Sequence, residues 1–213
     1  MPPQNRLVAQ FSKPTGPMGR FFLWRMNWHH SRLTDWGLSH VSIPAAGAVL
    51  DIGCGGGRTL RKLAAAAPNA HIDGVDHADA SIAASRKANA TDLQRGHVTI
   101  QQASVSALPF PADTFDLITA VETHFFWPNL DSDIREVFRV LKPGGTVILI
   151  AELYKGTPVA SPEKVDRAAT AIGMNLLTAE GHRALLADAG CIDVQVIEKR
   201  DIGWICIFGK KPA

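Results

Sequence analysis

The chain has 213 residues, 46% of them hydrophobic and 20% charged, with a formal net charge of +2, a size and balance that fit one globular domain with a substantial core. No block of Lys or Arg is present, which argues against a nucleic-acid partner, whose phosphates need clustered positive charge. Three scattered cysteines (Cys54, Cys191, Cys206) give neither a disulfide framework nor a zinc spacing, no apolar run is long enough for a membrane span, and the N-terminus does not read as a signal peptide. A cytoplasmic location without membrane attachment is expected.

Residues 1–17 are rich in Pro, Gly and polar residues and read as a loop or arm. From Met18 to about His40 the chain turns aromatic. Phe21, Trp24 and Trp28 recur at i, i+3 and i+7, one face of a helix. A second short helix is expected from Ser31 or Thr34 to His40, ending before Ile43-Pro44. Residues 1–44 thus form an arm and a helical cap ahead of the main domain, 45–213. The cap either packs on a sheet edge or closes as a lid, in which case Trp24 and Trp28 line a substrate.

An alternating pattern follows. Strands are expected at Ala48–Ile52, Ala70–Val75, His97–Gln102, Thr114–Val121 and Thr146–Ala151, the last nearly all apolar, as a strand covered on both faces should be. Helices are expected at Gly57–Ala67, Ala78–Ala88, Leu130–Val140, Pro162–Ile172 and Thr178–Ala189. Two closing strands, Ile192–Glu198 and Gly203–Phe208, read as an antiparallel pair. Strand–helix alternation means an open α/β sheet, doubly wound.

The stretch Val49–Gly57 carries the strongest chemical signal. An apolar strand leads to Asp51, and four glycines within five residues then turn the chain into a helix. Such a turn lets a ligand lie against bare backbone, facing helix N–H groups. Arg58 stands where the dinucleotide fingerprint needs its third glycine or alanine. Asp76, 19 positions after Gly57, ends the second strand, where an acid can accept from the hydroxyls of a ribose. Asp76 or Asp79 can each cap the following helix; Asp79 is the better placed, which leaves Asp76 for the ligand.

Asp51-x-Gly53-x-Gly55-x-Gly57 resembles the first motif of class I S-adenosylmethionine-dependent methyltransferases. Val75-Asp76-His77-Ala78-Asp79 resembles the second, and Leu108-Pro109-Phe110 and Arg135–Gly145 with its Lys142-Pro143-Gly144-Gly145 stop resemble later ones. The likeness covers residues 45–210. It implies a Rossmann-like, seven-stranded, mostly parallel sheet whose last strand is antiparallel, with an N-terminal helical cap. It also implies S-adenosyl-L-methionine at Asp51, Gly53, Cys54, Gly55, Asp76, His77, Ser104, Val105, Thr119 and Ala120. Ser104 departs from the family pattern, which has an aspartate there for the adenine amino group; a hydroxyl accepts one hydrogen bond without the strength of a charge.

The acceptor would lie beyond the fourth strand. Glu122 and His124 are candidate bases there, Phe125, Phe126 and Trp127 candidate walls, and Tyr154 a candidate contact past strand five. His29, His30 and His124 show no ligand spacing, so no metal is expected. The activity implied is methyl transfer to a small molecule. A nicotinamide-dependent oxidoreductase and a non-catalytic nucleoside-binding module are the two rivals.

Overall fold

The computed structural model describes residues 30–213. Trp24 and Trp28, and the helix expected to carry them, lie outside the described residues. The described chain runs α1 (Ser31–Leu38), β1 (Ala46–Ile52), α2 (Arg58–Ala66), β2 (Asn69–Asp76), α3 (Asp79–Ala88), α4 (Ala90–Gln94), β3 (Val98–Gln102), β4 (Phe115–Val121), α5 (Leu130–Val140), β5 (Leu141–Ala151), α6 (Pro162–Ile172), α7 (Ala179–Asp188), β6 (Ile192–Lys199) and β7 (Trp204–Lys210), with one 3-10 turn at His124–Phe126.

The seven strands form one sheet in the order β3-β2-β1-β4-β5-β7-β6. The pairings β1–β2, β1–β4, β2–β3 and β4–β5 are parallel, and β7 runs antiparallel between β5 and β6. The doubly wound sheet with its antiparallel last strand is therefore as expected. Strand alternation sorts the apolar side chains into two cores. Leu50, Ile118 and Leu149 face the layer of α5, α6 and α7, while Val49, Leu117 and Ile148 face the layer of α1 and α2.

Two departures from the sequence reading have local causes. Lys142–Gly145 does not separate α5 from a later strand. The chain enters β5 at once, and a step of two residues on β4, from Phe115 to Leu117, is matched by a step of five on β5, from Leu141 to Thr146. Gly144, at φ +76°, makes this outpouching possible. Asp116 pins it: its Oδ2 accepts from Ala48 N–H and Lys142 Nζ, both at 2.8 Å. Burial opposes that charge, yet the Lys142 and Ala48 hydrogen bonds prevail and hold the carboxyl below its ordinary value. Second, α1 packs on the sheet face against β5 and β7 rather than on an edge. Leu33 is fully buried there, and a Cβ on Gly37 would lie 2.3 Å from Ile150 Cδ1, so only glycine permits this approach.

Candidate active site

The glycine turn after β1 is wired to the end of β2. Gly53 and Cys54 donate their N–H groups to Val75 O at 2.8 and 3.0 Å. Gly53, Gly55 and Gly57 have φ of +71°, +51° and +79°, a region where a Cβ is strained. Gly57 is the N-cap of α2, and no side chain among the described residues caps that helix, which leaves its first-turn N–H groups suited to an anionic group.

Asp76 is the second anchor. Its Oδ2 accepts from Gly55 N–H at 3.0 Å and its Oδ1 from Ala78 N–H at 2.9 Å. The division of labour expected between the two aspartates is thus corrected: Asp79 sits inside the first turn of α3, and Asp76 holds that helix's entry. Each carboxylate oxygen keeps a lone pair for another donor.

A cavity of about 240 Å³ opens beside these groups. From the cofactor set, Gly53, Cys54, Gly55, Asp76, His77, Ser104 and Val105 line it; from the acceptor set, Glu122 and Phe126 do. Ser104 turns its hydroxyl to its own loop, where Oγ accepts from Ser106 N–H at 3.2 Å. Trp127 also lines the cavity, and its indole N–H is buried with no partner among the described residues. Such an orphan donor at a cavity wall suits a ligand acceptor atom.

Asp51, Thr119 and Ala120 do not reach the wall. Strands β1 and β4 end only at Ile52 and Val121, so these three residues are still inside the sheet pairing and are almost wholly buried. Thr119 Oγ1 donates to Asp51 Oδ1 at 2.7 Å, beneath the turn. Burial pushes the Asp51 carboxyl up to about 7, with the nearby Asp76 charge adding to the rise and Thr119 opposing it. Because the native carboxyl holds its proton more tightly than the unfolded chain does, Asp51 lowers stability progressively as pH rises from about 4 to about 7, by up to roughly 4 kcal/mol. Asp51→Asn is therefore expected to resist urea better than the wild type at pH 8.5 and to lose that advantage at pH 5. Equal midpoint shifts at both pH values would contradict the buried, proton-holding carboxyl.

His124 is corrected as well. The 3-10 turn rotates its ring into the core, where Nε2 lies 2.9 Å from His182 Nε2 and the side chain is 2% exposed. Burial, with the His182 charge adding to it, holds His124 well below its ordinary pKa. It is not among the residues that line this cavity and sits as a buried histidine. Tyr154 is likewise buried, donating its hydroxyl to Glu198 Oε1 at 2.6 Å, and burial together with that bond pushes it up to about 12. Tyr154→Phe is expected to cost about 1 kcal/mol in urea unfolding and leave cofactor affinity unchanged. A drop in affinity would return Tyr154 to the site.

Among the described residues, Glu122 is one of three non-glycine residues with positive φ, at +57°. That conformation aims its carboxylate back across the end of β5. Oε1 accepts from Glu152 N–H at 2.5 Å, and Oε2 faces His30 Nε2 at 3.9 Å. Burial pushes Glu122 up to about 7; the His30 charge opposes this and the Glu152 charge adds to it. His30 is itself 3.3 Å from Glu152 Oε1. Burial disfavours its charge, yet the bond to Glu152 and the charges of both glutamates outweigh that, and its pKa is raised. Thr34 and Thr123 line the cavity without having been singled out from the sequence, and so does His30, which was weighed only in a metal set with His29 and His124. No spacing joins residues 30, 122 and 152; only the sheet does.

A Rossmann-like sheet with a glycine turn, a strand-end aspartate and a cavity at the carboxyl ends of its strands is the arrangement in which open α/β sheets hold nucleoside ligands. A family model described as a methyltransferase domain matches residues 49–145. The uncharacterized methyltransferase YdaC of Bacillus subtilis (strain 168) is 26% identical over 186 residues, which is 85% of this chain and 92% of that protein. Methyltransferase GfsG of Streptomyces halstedii is 29% identical over 154 residues, 72% of this chain and 52% of the relative, so the chain spans about half of that protein. Haemonchus contortus phosphoethanolamine N-methyltransferase 2, solved with S-adenosyl-L-methionine, superposes with a TM-score of 0.81 at 15% identity over 97% of this chain and 60% of that one. The family model and these relatives support a class I S-adenosylmethionine-dependent methyltransferase, and the superposition shows the same fold. No helix among the described residues is long and apolar enough to cross a membrane.

Proposed function

We propose that the cavity binds S-adenosyl-L-methionine along the Gly53–Asp76 side and a small organic acceptor at the Glu122 end. The observation that carries this reading is that one cavity joins the two: Gly53, Gly55 and Asp76 line it together with His30, Glu122, Phe126 and Trp127. The residues present suit the cofactor. Asp76 offers free lone pairs to ribose hydroxyls, the uncapped start of α2 suits a carboxylate, and Cys54 and Val105 give apolar surface to a base.

The cofactor supplies a methyl group on a sulfonium, which makes transfer to a nucleophile favourable. This chain's own contribution is then orientation and dryness. Phe126 and Trp127 exclude water at the acceptor end, and Glu122, locked by Glu152 N–H, fixes the acceptor's polar group or receives its proton. Asp51 and Thr119 support the turn from below rather than touching the cofactor's ring.

The experiment is incubation of the purified protein with methyl-labelled cofactor, a metabolite extract and a panel of phenols, thiols, amines and carboxylates. Label is expected in a low-molecular-weight product. Label recovered only in nucleic acid or protein would overturn the small-molecule acceptor.

A further inference from the structure

We propose that His30, Glu122 and Glu152 form a site for one divalent transition-metal cation at the acceptor end of the cavity, a proposal that rests on that end being where the acceptor binds. The three side chains come from the start of α1, the loop after β4 and the loop after β5. One ligand atom from each, an imidazole nitrogen and two carboxylate oxygens, can be chosen so that all lie within 4.8 Å of one another. His30 Nε2 is 3.3 Å from Glu152 Oε1 and 3.9 Å from Glu122 Oε2. Ligands about 2.1 Å from a shared ion stand roughly 3–4 Å apart, so these two separations already suit one cation.

Two further features favour an ion over a plain histidine–carboxylate pairing. Glu122 is nine-tenths buried, and its Oε2 accepts no hydrogen bond from the described residues although Oε1 does. It is also held at φ +57°, a conformation disfavoured for glutamate and found where the surroundings fix a side chain for a task. One nitrogen and two oxygens form a mixed donor set that suits Mn²⁺, Fe²⁺ or Zn²⁺ better than Mg²⁺, which prefers oxygen alone. Three protein ligands leave positions open, and His30 and Glu122 line the cavity. The acceptor class is then one that presents a hydroxyl, enol or carboxylate oxygen to the ion.

The test is titration of the full chain with Mn²⁺ alone, following the loss of the free-ion electron paramagnetic resonance signal. One ion per chain is expected to bind, weakened at least roughly tenfold by Glu152→Gln and by His30→Ala. Glu152→Gln should keep its affinity for S-adenosylhomocysteine, which shows that it is folded and keeps the methyltransferase reading separate. No stoichiometric Mn²⁺ binding, or binding that both variants retain, overturns the site. If the wild type also fails to bind S-adenosylhomocysteine, the cofactor reading fails instead.

Discussion

Asp76→Ala is expected to lower S-adenosylhomocysteine affinity roughly 100-fold and to cost about 2–4 kcal/mol of folding stability. Two effects add. The carboxylate is 8% exposed and satisfies two backbone donors, Gly55 N–H and Ala78 N–H, which would be left buried and unpaired. The first holds the glycine turn against β2 and the second starts α3, so the cavity wall loosens as its ribose acceptor disappears. Asp76→Asn should fall between, because an amide can accept from one of the two N–H groups but presents its own NH₂ to the other. Calorimetric titration beside urea unfolding separates the contributions. A variant that loses stability but binds as before would reduce Asp76 to a scaffold residue.

Gly53→Ala is expected to do comparable damage by a different route. At φ +71° a side chain costs about 1–2 kcal/mol on its own. The new Cβ would also stand 2.2 Å from Thr123 Oγ1 and 2.7 Å from Thr123 Cβ, contacts that force β1 and β4 apart at the cavity floor and cost about 1–3 kcal/mol more. Thr123→Gly removes the obstruction but not the backbone strain, so the double variant should recover about half of the lost stability. Strict additivity of the two substitutions would mean that the crowding with Thr123 is not what makes Gly53 necessary. Cofactor affinity should fall with the single variant by at least about tenfold, since the turn itself is the binding surface.

Much of this architecture was readable because it is local. The helices at Leu130–Val140 and Pro162–Ile172 carry their own signals: Asn129 caps the first by accepting from Ser132 N–H, and Pro162 opens the second with Gly173 in the left-handed region at its end. The glycine turn was legible for the same reason, since only glycine tolerates three positive φ angles so close together. Where a side chain points once its strand has ended was not legible. Glu122 and His124 are two residues apart, yet a left-handed step at Glu122 followed by a 3-10 turn sends one into the cavity and the other to His182. Asp51 and Thr119 looked like wall residues because they approach the strand ends; one more paired residue on β1 and two on β4 bury them.

The grouping of His30 with Glu122 and Glu152 illustrates the other limit. The elements that carry these residues are far apart in the chain, and parallel strands β4 and β5 bring their carboxyl ends side by side. α1 reaches the same corner because Gly37 lets it settle on Ile150 of β5. A histidine read as one of eight offers no such information by itself.

A crystal structure of the protein with S-adenosylhomocysteine tests the central claim most directly. It should show both ribose hydroxyls within hydrogen-bonding reach of the Asp76 carboxylate and the homocysteine portion over Gly53–Gly55. The sulfur should point toward Glu122. A ribose remote from Asp76, or the ligand seated outside this cavity, would contradict the account.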